Sequence, residues 1–341
     1  MTNHLLNCKI IDGKAPSIIF LEKIFMSEIL RLAPAFKDYL WGGQILREKY
    51  NITDMDKVAE SWVFSTHKDG QSIVIGGSLD GKTLSEAVEI MGTSALGKKA
   101  AEFEMFPQMI KIIDAEQSLS IQVHPSDEYA LENEGQYGKT EMWYILDAKE
   151  GAGIYYGVKK ETTKEELYDA IQNNKIEDVL CFQPCKAGEC YFIPSGTIHA
   201  IGAGLLIAEV QQNSNVTYRV YDFGRVGVDG KPRELHIEQA VRVSNLLPMT
   251  QECEKKPELI ENGTKTLLST CPYFEAVKIQ IDGQYSFTPK DSFVCVFVID
   301  GSGEINGKAF GQYDTFFVPA DMGEVILKGS FEAILSHTPG N

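Results

Sequence analysis

The sequence predicts a mainly β protein, an antiparallel barrel or sandwich interrupted by helices, and three observations carry that expectation. From Met109 onward, short runs rich in β-branched and aromatic residues recur between turns bearing Gly and Pro: MIKIID, LSIQV, MWYIL, AGIYY, CYFIP, LLIAEV and VTYRVY. The stretch FVCVFVIDGSGEINGKAFGQYDTFFVPA then alternates apolar and polar residues around Gly-rich turns, the pattern of a second β-barrel. At 341 residues the chain exceeds the usual size of a single core, so two domains are expected.

Taken in chain order, the first 25 residues contain SIIFL, but Glu22 and Lys23 interrupt it, no basic stretch precedes it and no small-residue cleavage site follows. They make a poor signal peptide. Thr83-Leu-Ser-Glu86 predicts a capping box opening the helix LSEAVEIM, and Thr162-Thr-Lys-Glu165 predicts another opening KEELYDAIQ. HIEQAVRVSNLL reads as a third helix, and the polar stretch Thr250–Glu258 after it reads as a linker. Helices are therefore insertions in a β framework.

Forty-eight acidic against thirty-two basic residues give a net charge of −16, which argues against non-specific binding to nucleic acid or an anionic membrane. An anionic ligand would need a local basic pocket. No run reaches the roughly 18 to 20 apolar residues of a membrane span. The seven cysteines include no Cys-x-x-Cys pair, a pattern expected of a reduced, cytoplasmic protein. Cys181, Cys185 and Cys190 are loosely spaced, and Cys190 sits in the apolar run CYFIP as a small buried hydrophobe would.

The stretch Leu119-Ser-Ile-Gln-Val-His-Pro125 is the most informative in the chain. Side chains alternate across a strand, so Ser120, Gln122 and His124 share one face and Leu119, Ile121 and Val123 the other. The same alternation puts Lys139 and Glu141 together, and the turn Pro194-Ser-Gly-Thr-Ile-His199 delivers a second imidazole. Gln122, His124, Glu141 and His199 make a plausible two-nitrogen, two-oxygen metal shell. Imidazole and carboxylate suit zinc, with manganese and iron chemically open. Because only Glu141 carries charge, a divalent ion there keeps a formal site charge near +1 and remains a strong Lewis acid. Thr217, Arg219 and Tyr221 share a face of a later strand, where Arg219 offers rigid, permanently charged donors or a structural ion pair with Asp222. His67, in a turn, and His236, entering a helix, have weaker claims.

The motifs LSIQVHP, KTEMWYIL, PSGTIHAIG and QQNSNVTYRVYD, in this order and spacing from Met26 to about Asn245, resemble the type I mannose-6-phosphate isomerases of the cupin superfamily. Gly188, Pro194, Gly196 and His199 resemble the second cupin motif, although Ala203 stands where its closing Asn is usual. The resemblance implies two cupin-type (jelly-roll) β-barrels with helical insertions. It divides the chain into an N-terminal extension (1–25), a catalytic cupin domain (26–249), a linker (250–262) and a degenerate C-terminal cupin barrel (263–341). It implies one Zn2+ per chain on Gln122, His124, Glu141 and His199, Lys111 and Ser120 on the sugar phosphate, Arg219 as the catalytic arginine and Lys139 beside zinc as a carrier of protons. The activity it implies interconverts mannose 6-phosphate and fructose 6-phosphate through an enediol. Trp41-Gly-Gly43 and Glu60-Ser-Trp62 also match the family text, their tryptophans read as packing. Spacing alone supports less, a metal-dependent cupin acting on a small polar molecule. It leaves open a cupin oxygenase, which would want a two-His, one-carboxylate iron site, and a non-catalytic sugar-phosphate sensor.

Overall fold

The computed structural model describes residues 28–227, 230–250, 253–320 and 322–339. The N-terminal extension expected at 1–25 lies outside the described residues. Three antiparallel sheets make up the fold. A six-stranded sheet runs in the order Cys190–Ile193, Glu141–Ala148, Leu205–Gln212, Gln108–Ala115, Glu60–Phe64, Ala35–Lys37. A five-stranded sheet runs Tyr218–Tyr221, Ile121–Val123, His199–Ile201, Gly153–Val158, Leu180–Pro184. The third, nine-stranded sheet holds the C-terminal strands together with Leu30–Ala33 and Ile73–Ile75 from the start of the chain.

The six-stranded sheet lies in the middle, and period-two alternation explains how it serves two neighbours. On one face, Ile110, Ile112, Met142, Tyr144, Leu206, Ala208 and Val210 join Phe297, Phe317 and Ile334 of the nine-stranded sheet, and Phe293 just before one of its strands, in one core. On the other, Ile113, Trp143, Ile145, Leu205 and Ile207 pack with Ile154, Tyr156 and Ile201 of the five-stranded sheet. Strands buried on both faces read as continuous apolar runs, which is why MIKIID and LLIAEV do so. A bulge between Trp62 and Phe64 breaks the alternation, turning Phe64 into the first core beside Val63, where it stacks on Phe293 and Phe317 with centroids 5.8 and 6.3 Å apart.

The remaining face of the C-terminal sheet encloses a core of its own, including Ile279, Val296, Phe316, Val318 and Leu327. Leu30–Ala33 pairs with Thr315–Val318, and Arg31 donates to Asp314 at 2.7 Å, so the start of the described chain is built into the C-terminal sheet. Within 250–262, Glu258–Ile260 forms the edge strand of that sheet.

The helix Leu84–Met91 begins with the expected reciprocal cap between Thr83 and Glu86. The second cap falls one residue later than expected: Thr163 and Glu166, not Thr162 and Glu165, open Lys164–Gln172, while Thr162 donates to the Lys160 carbonyl. The third predicted helix is Ile237–Val243. A further helix, Asp127–Asn133, has Ser126 as its N-cap and two acids in its first turn. Among the described residues, no helix is long and apolar enough to cross a membrane.

Candidate active site

Between the five- and six-stranded sheets lies a cavity of about 290 Å³ lined by Glu60, Lys111, Ser120, Gln122, Lys139, His199, Glu209, Arg219 and Arg233, with Tyr39 and Trp41 among its other walls. Register puts these side chains together. Trp62 pairs with Lys111, Lys111 with Glu209, and Glu209 with Trp143, giving one row across four strands, of which Lys111, Glu209 and Trp143 line the cavity. The adjoining row runs Met109, Gln211, Glu141. From the opposite sheet, Gln122 stands across from both His199 and Arg219.

His124 follows the strand Ile121–Val123, with Pro125 ending the extended segment. His199 opens its own strand, and the Gly196 N–H donates to the His124 carbonyl at 2.8 Å, tying the two histidine-bearing segments together. Gly196 sits at φ 85°, and a Cβ there would come within 3.0 Å of the Val243 carbonyl, so this turn requires glycine. The donor atoms of His124, Glu141 and His199 all lie within 4.8 Å of one another, and all three residues are buried.

The protonation of the imidazoles follows from their outer contacts. His124 Nδ1 is 2.7 Å from the Val216 carbonyl and His199 Nδ1 is 2.8 Å from the Thr197 carbonyl. A carbonyl only accepts, so in each ring Nδ1 carries the hydrogen. Burial, then the Lys139 ammonium, disfavours a second proton: His124 is held well below the usual imidazole range and His199 is pushed down to about 3. Both Nε2 atoms therefore present bare lone pairs. His199 Nε2 and Glu141 Oε1 are buried without a hydrogen-bond partner. Two facing buried groups of this kind, with His124 beside them, could hold a metal ion. The Lys139 ammonium already lies among the same lone pairs, bonded to Glu141 and 3.3 Å from His124 Nε2.

The carboxylates and lysines form an alternating buried series. Lys139 is 3.5 Å from Glu209, Glu209 is 3.6 Å from Lys111, and Lys111 is 3.6 Å from Glu60. Burial works against the charge on Lys111, but Glu60 and Glu209 outweigh it and raise its pKa. Burial likewise opposes the Glu209 carboxylate, which Lys139 and Lys111 nonetheless hold below the usual range. Glu141 is shifted upward by burial and by Glu209, against Lys139.

Towards Ser120, Arg219 donates from Nε to the Ser120 hydroxyl at 3.3 Å and from Nη1 to the Glu234 carbonyl at 3.0 Å. Ser120 in turn donates to Gln122 at 3.3 Å. Asp222 does not pair with Arg219: its carboxylate accepts a bidentate pair from Arg233 at 2.6 and 2.7 Å and another bond from Arg225 at 2.5 Å. Every site residue expected from the sequence thus borders the cavity or the donor cluster. His67 lies in a separate groove beside Gln136, and His236 accepts the Arg219 backbone N–H at 3.3 Å. Cys190 is buried with its thiol directed at Met142 and the Leu268 carbonyl, as expected of a small hydrophobe.

Glu209, Glu60 and Arg233 were not among the expected residues. The signal for Glu209 was an acid in phase with Leu205, Ile207 and Gln211 inside an otherwise apolar run.

Residues 29–152 match the phosphomannose isomerase type I catalytic domain, and residues 263–338 match the mannose-6-phosphate isomerase cupin domain. The chain is 39% identical to mannose-6-phosphate isomerase ManA of Bacillus subtilis over 91% of its length and 99% of the relative's. It is 36% identical to the mannose-6-phosphate isomerase of Streptococcus mutans, covering 92% and 99% of the two chains. The crystal structure of mannose 6-phosphate isomerase from Bacillus subtilis superimposes with a TM-score of 0.84 at 36% identity, over 91% of this chain and 99% of that one. A variant of phosphomannose isomerase from Salmonella typhimurium, 18% identical, shares the fold with a TM-score of 0.73 over 91% and 99%.

Proposed function

Because this chain belongs to the type I mannose-6-phosphate isomerases, we propose that its cavity interconverts mannose 6-phosphate and fructose 6-phosphate with one zinc ion per chain. The observation that carries the reading is the buried cluster of His124, Glu141 and His199, with His199 Nε2 and Glu141 Oε1 facing each other unpartnered, beside a cavity that also presents Arg219 and Lys139.

His124, Glu141 and His199 would hold the ion, with Gln122 as the fourth ligand. The Gln122 carboxamide turns its Nε2 towards His124 Nε2 at 3.5 Å. A half-turn of the amide, which exchanges groups of nearly equal size, would present Oε1 to the ion and an N–H to the Ser120 hydroxyl. Bound there, zinc supplies a Lewis acid at the sugar oxygens.

The protein's own groups account for the rest. Moving a proton between C1 and C2 develops negative charge on the adjacent oxygens, and the Arg219 guanidinium is a permanently charged donor for it. The Lys139 ammonium can give up a proton from Nζ and take it back, and the neighbouring Glu141 and Glu209 carboxyl groups keep it oriented. Lys111 and Ser120 are assigned to substrate binding, Ser120 from the Arg219 side and Lys111 from the floor. The walls Trp41, Ile113, Leu119 and Ile201 limit water around the intermediate.

The test is a coupled assay with mannose 6-phosphate on protein as purified, after chelation and after zinc return. Activity lost with the metal and regained with zinc is expected. Full activity in metal-free protein would overturn the metal assignment, and no turnover under any condition would overturn the substrate assignment.

A further inference from the structure

The charged row across the central sheet ends in two indoles, each donating to a carboxylate. Trp143 Nε1 donates to Glu209 at 2.9 Å, and Trp62 Nε1 donates to Glu60 at 2.6 Å. Trp62 and Glu60 are two residues apart on one strand, hence on the same face. Both are buried, and Lys111 lies 3.6 Å from the Glu60 carboxylate and 4.7 Å from the Trp62 ring centroid. Lys111 is thus fixed from three directions: carboxylates on both sides, and an aromatic face.

A buried ion pair adds little net stability relative to apolar residues of the same shape. Placing the Glu60 carboxyl group 3.6 Å from Lys111 therefore accounts for position better than for stability. Glu60 lines the cavity, whereas Trp62 reaches it only through Glu60.

We propose that Glu60 and Trp62 are a positioning pair: the Trp62 indole N–H orients the Glu60 carboxylate, which keeps the Lys111 ammonium from collapsing onto Glu209 and so presents it to the substrate. This rests on the isomerase reading and on Lys111 as a substrate-binding residue. Trp62 then has a role beyond packing.

The test compares Glu60→Gln, Trp62→Phe and the double variant, each in the parent and in a Lys111→Met background, by steady-state kinetics with mannose 6-phosphate on zinc-loaded protein. Glu60→Gln keeps the shape and an acceptor for the indole but removes the charge. Trp62→Phe keeps an aromatic face and removes the N–H. Each is expected to raise KM by about 3- to 10-fold with kcat within about threefold, the double variant no more than Glu60→Gln alone. In the Lys111→Met background, neither should raise KM further. Unchanged KM in Glu60→Gln, or a KM effect that persists undiminished without Lys111, overturns the proposal, because a merely structural role would act whether or not the lysine is present. A parent protein without mannose 6-phosphate turnover would fail at the isomerase reading instead, a result seen before any variant is measured.

Discussion

His199 Nε2 faces Glu141 Oε1 at 3.3 Å, and both atoms are buried without a hydrogen-bond partner. The Thr197 carbonyl takes the one proton of the imidazole on its far side, and burial prevents a second from binding. The approach of these two atoms is maintained by the register of separate sheets, so it is a standing property of the fold.

Elemental analysis of purified protein should therefore find about one zinc per chain, and His199→Ala should carry markedly less. The substitution should leave the far-UV spectrum unchanged, because the strand is held by its backbone ladder. Equal zinc content in parent and variant would remove His199 from the ligand set.

Lys111→Ala and Arg219→Ala should separate binding from chemistry. The first should mainly raise KM for mannose 6-phosphate, with some loss of kcat because remote binding energy also supports the transition state. The second should lower kcat on the order of 10²-fold, as loss of one oxyanion donor does. Neither should change zinc content. If Lys111→Ala discriminates between mannose 6-phosphate and mannose as strongly as the parent does, Lys111 is not a phosphate contact.

Asp222 gives a prediction in pH. Burial raises its pKa, but the hydrogen bonds and charges of Arg233 and Arg225 more than offset this, and the folded-state value lies below the ordinary carboxylate. A depressed pKa contributes stability that is present above the unfolded value, about 3.9, and is lost as pH falls through the folded value. Asp222→Asn should thus be less stable than the parent at pH 7, by roughly 1–3 kcal/mol. In denaturant titrations that gap should hold down to about pH 4 and close below it. A gap that stays constant into strong acid would mean the ion pairs are not its source.

Phe317 lies at the contact between the central and C-terminal sheets, stacked on Phe64 and on Phe293 with centroids 6.3 and 5.5 Å away. Phe317→Ala should cost roughly 3–5 kcal/mol in chemical denaturation through the lost burial and the cavity left behind. A cost below about 1 kcal/mol would show that the two sheets do not depend on this contact.

The parts of the site that the sequence revealed were those set by local geometry. Ser120, Gln122 and His124 were legible because alternation along a single strand is a local rule, as were Lys139 with Glu141. Glu209 and Glu60 escaped because their meaning lies in register: Glu209 becomes a site residue only when its strand sets it between Lys111 and Trp143, and no spacing along the chain encodes that. Asp222 is the near neighbour of Arg219 in sequence, yet the return of the chain at residue 233 supplies it with a better bidentate donor. The helix Asp127–Asn133 was missed although Ser126 and the acids after it carried an N-terminal signal, because only Ala130 among its residues is buried and no apolar stripe marked it.

The pairing of Leu30–Ala33 with Thr315–Val318 sets an order of events during synthesis. One edge of Leu30–Ala33 can pair early with Ile73–Ile75, but Arg31 and Asp314 are 283 residues apart, so its other edge must wait for one of the last strands before that ladder can form. While the chain is still emerging, one edge of the strand carrying Leu30 and Leu32 is open, and the central sheet lacks the layer that covers Phe64. A ribosome stalled short of Thr315 would therefore hold a chain with its cavity residues already made but its sheet unclosed, a state prone to capture by chaperones or to aggregation.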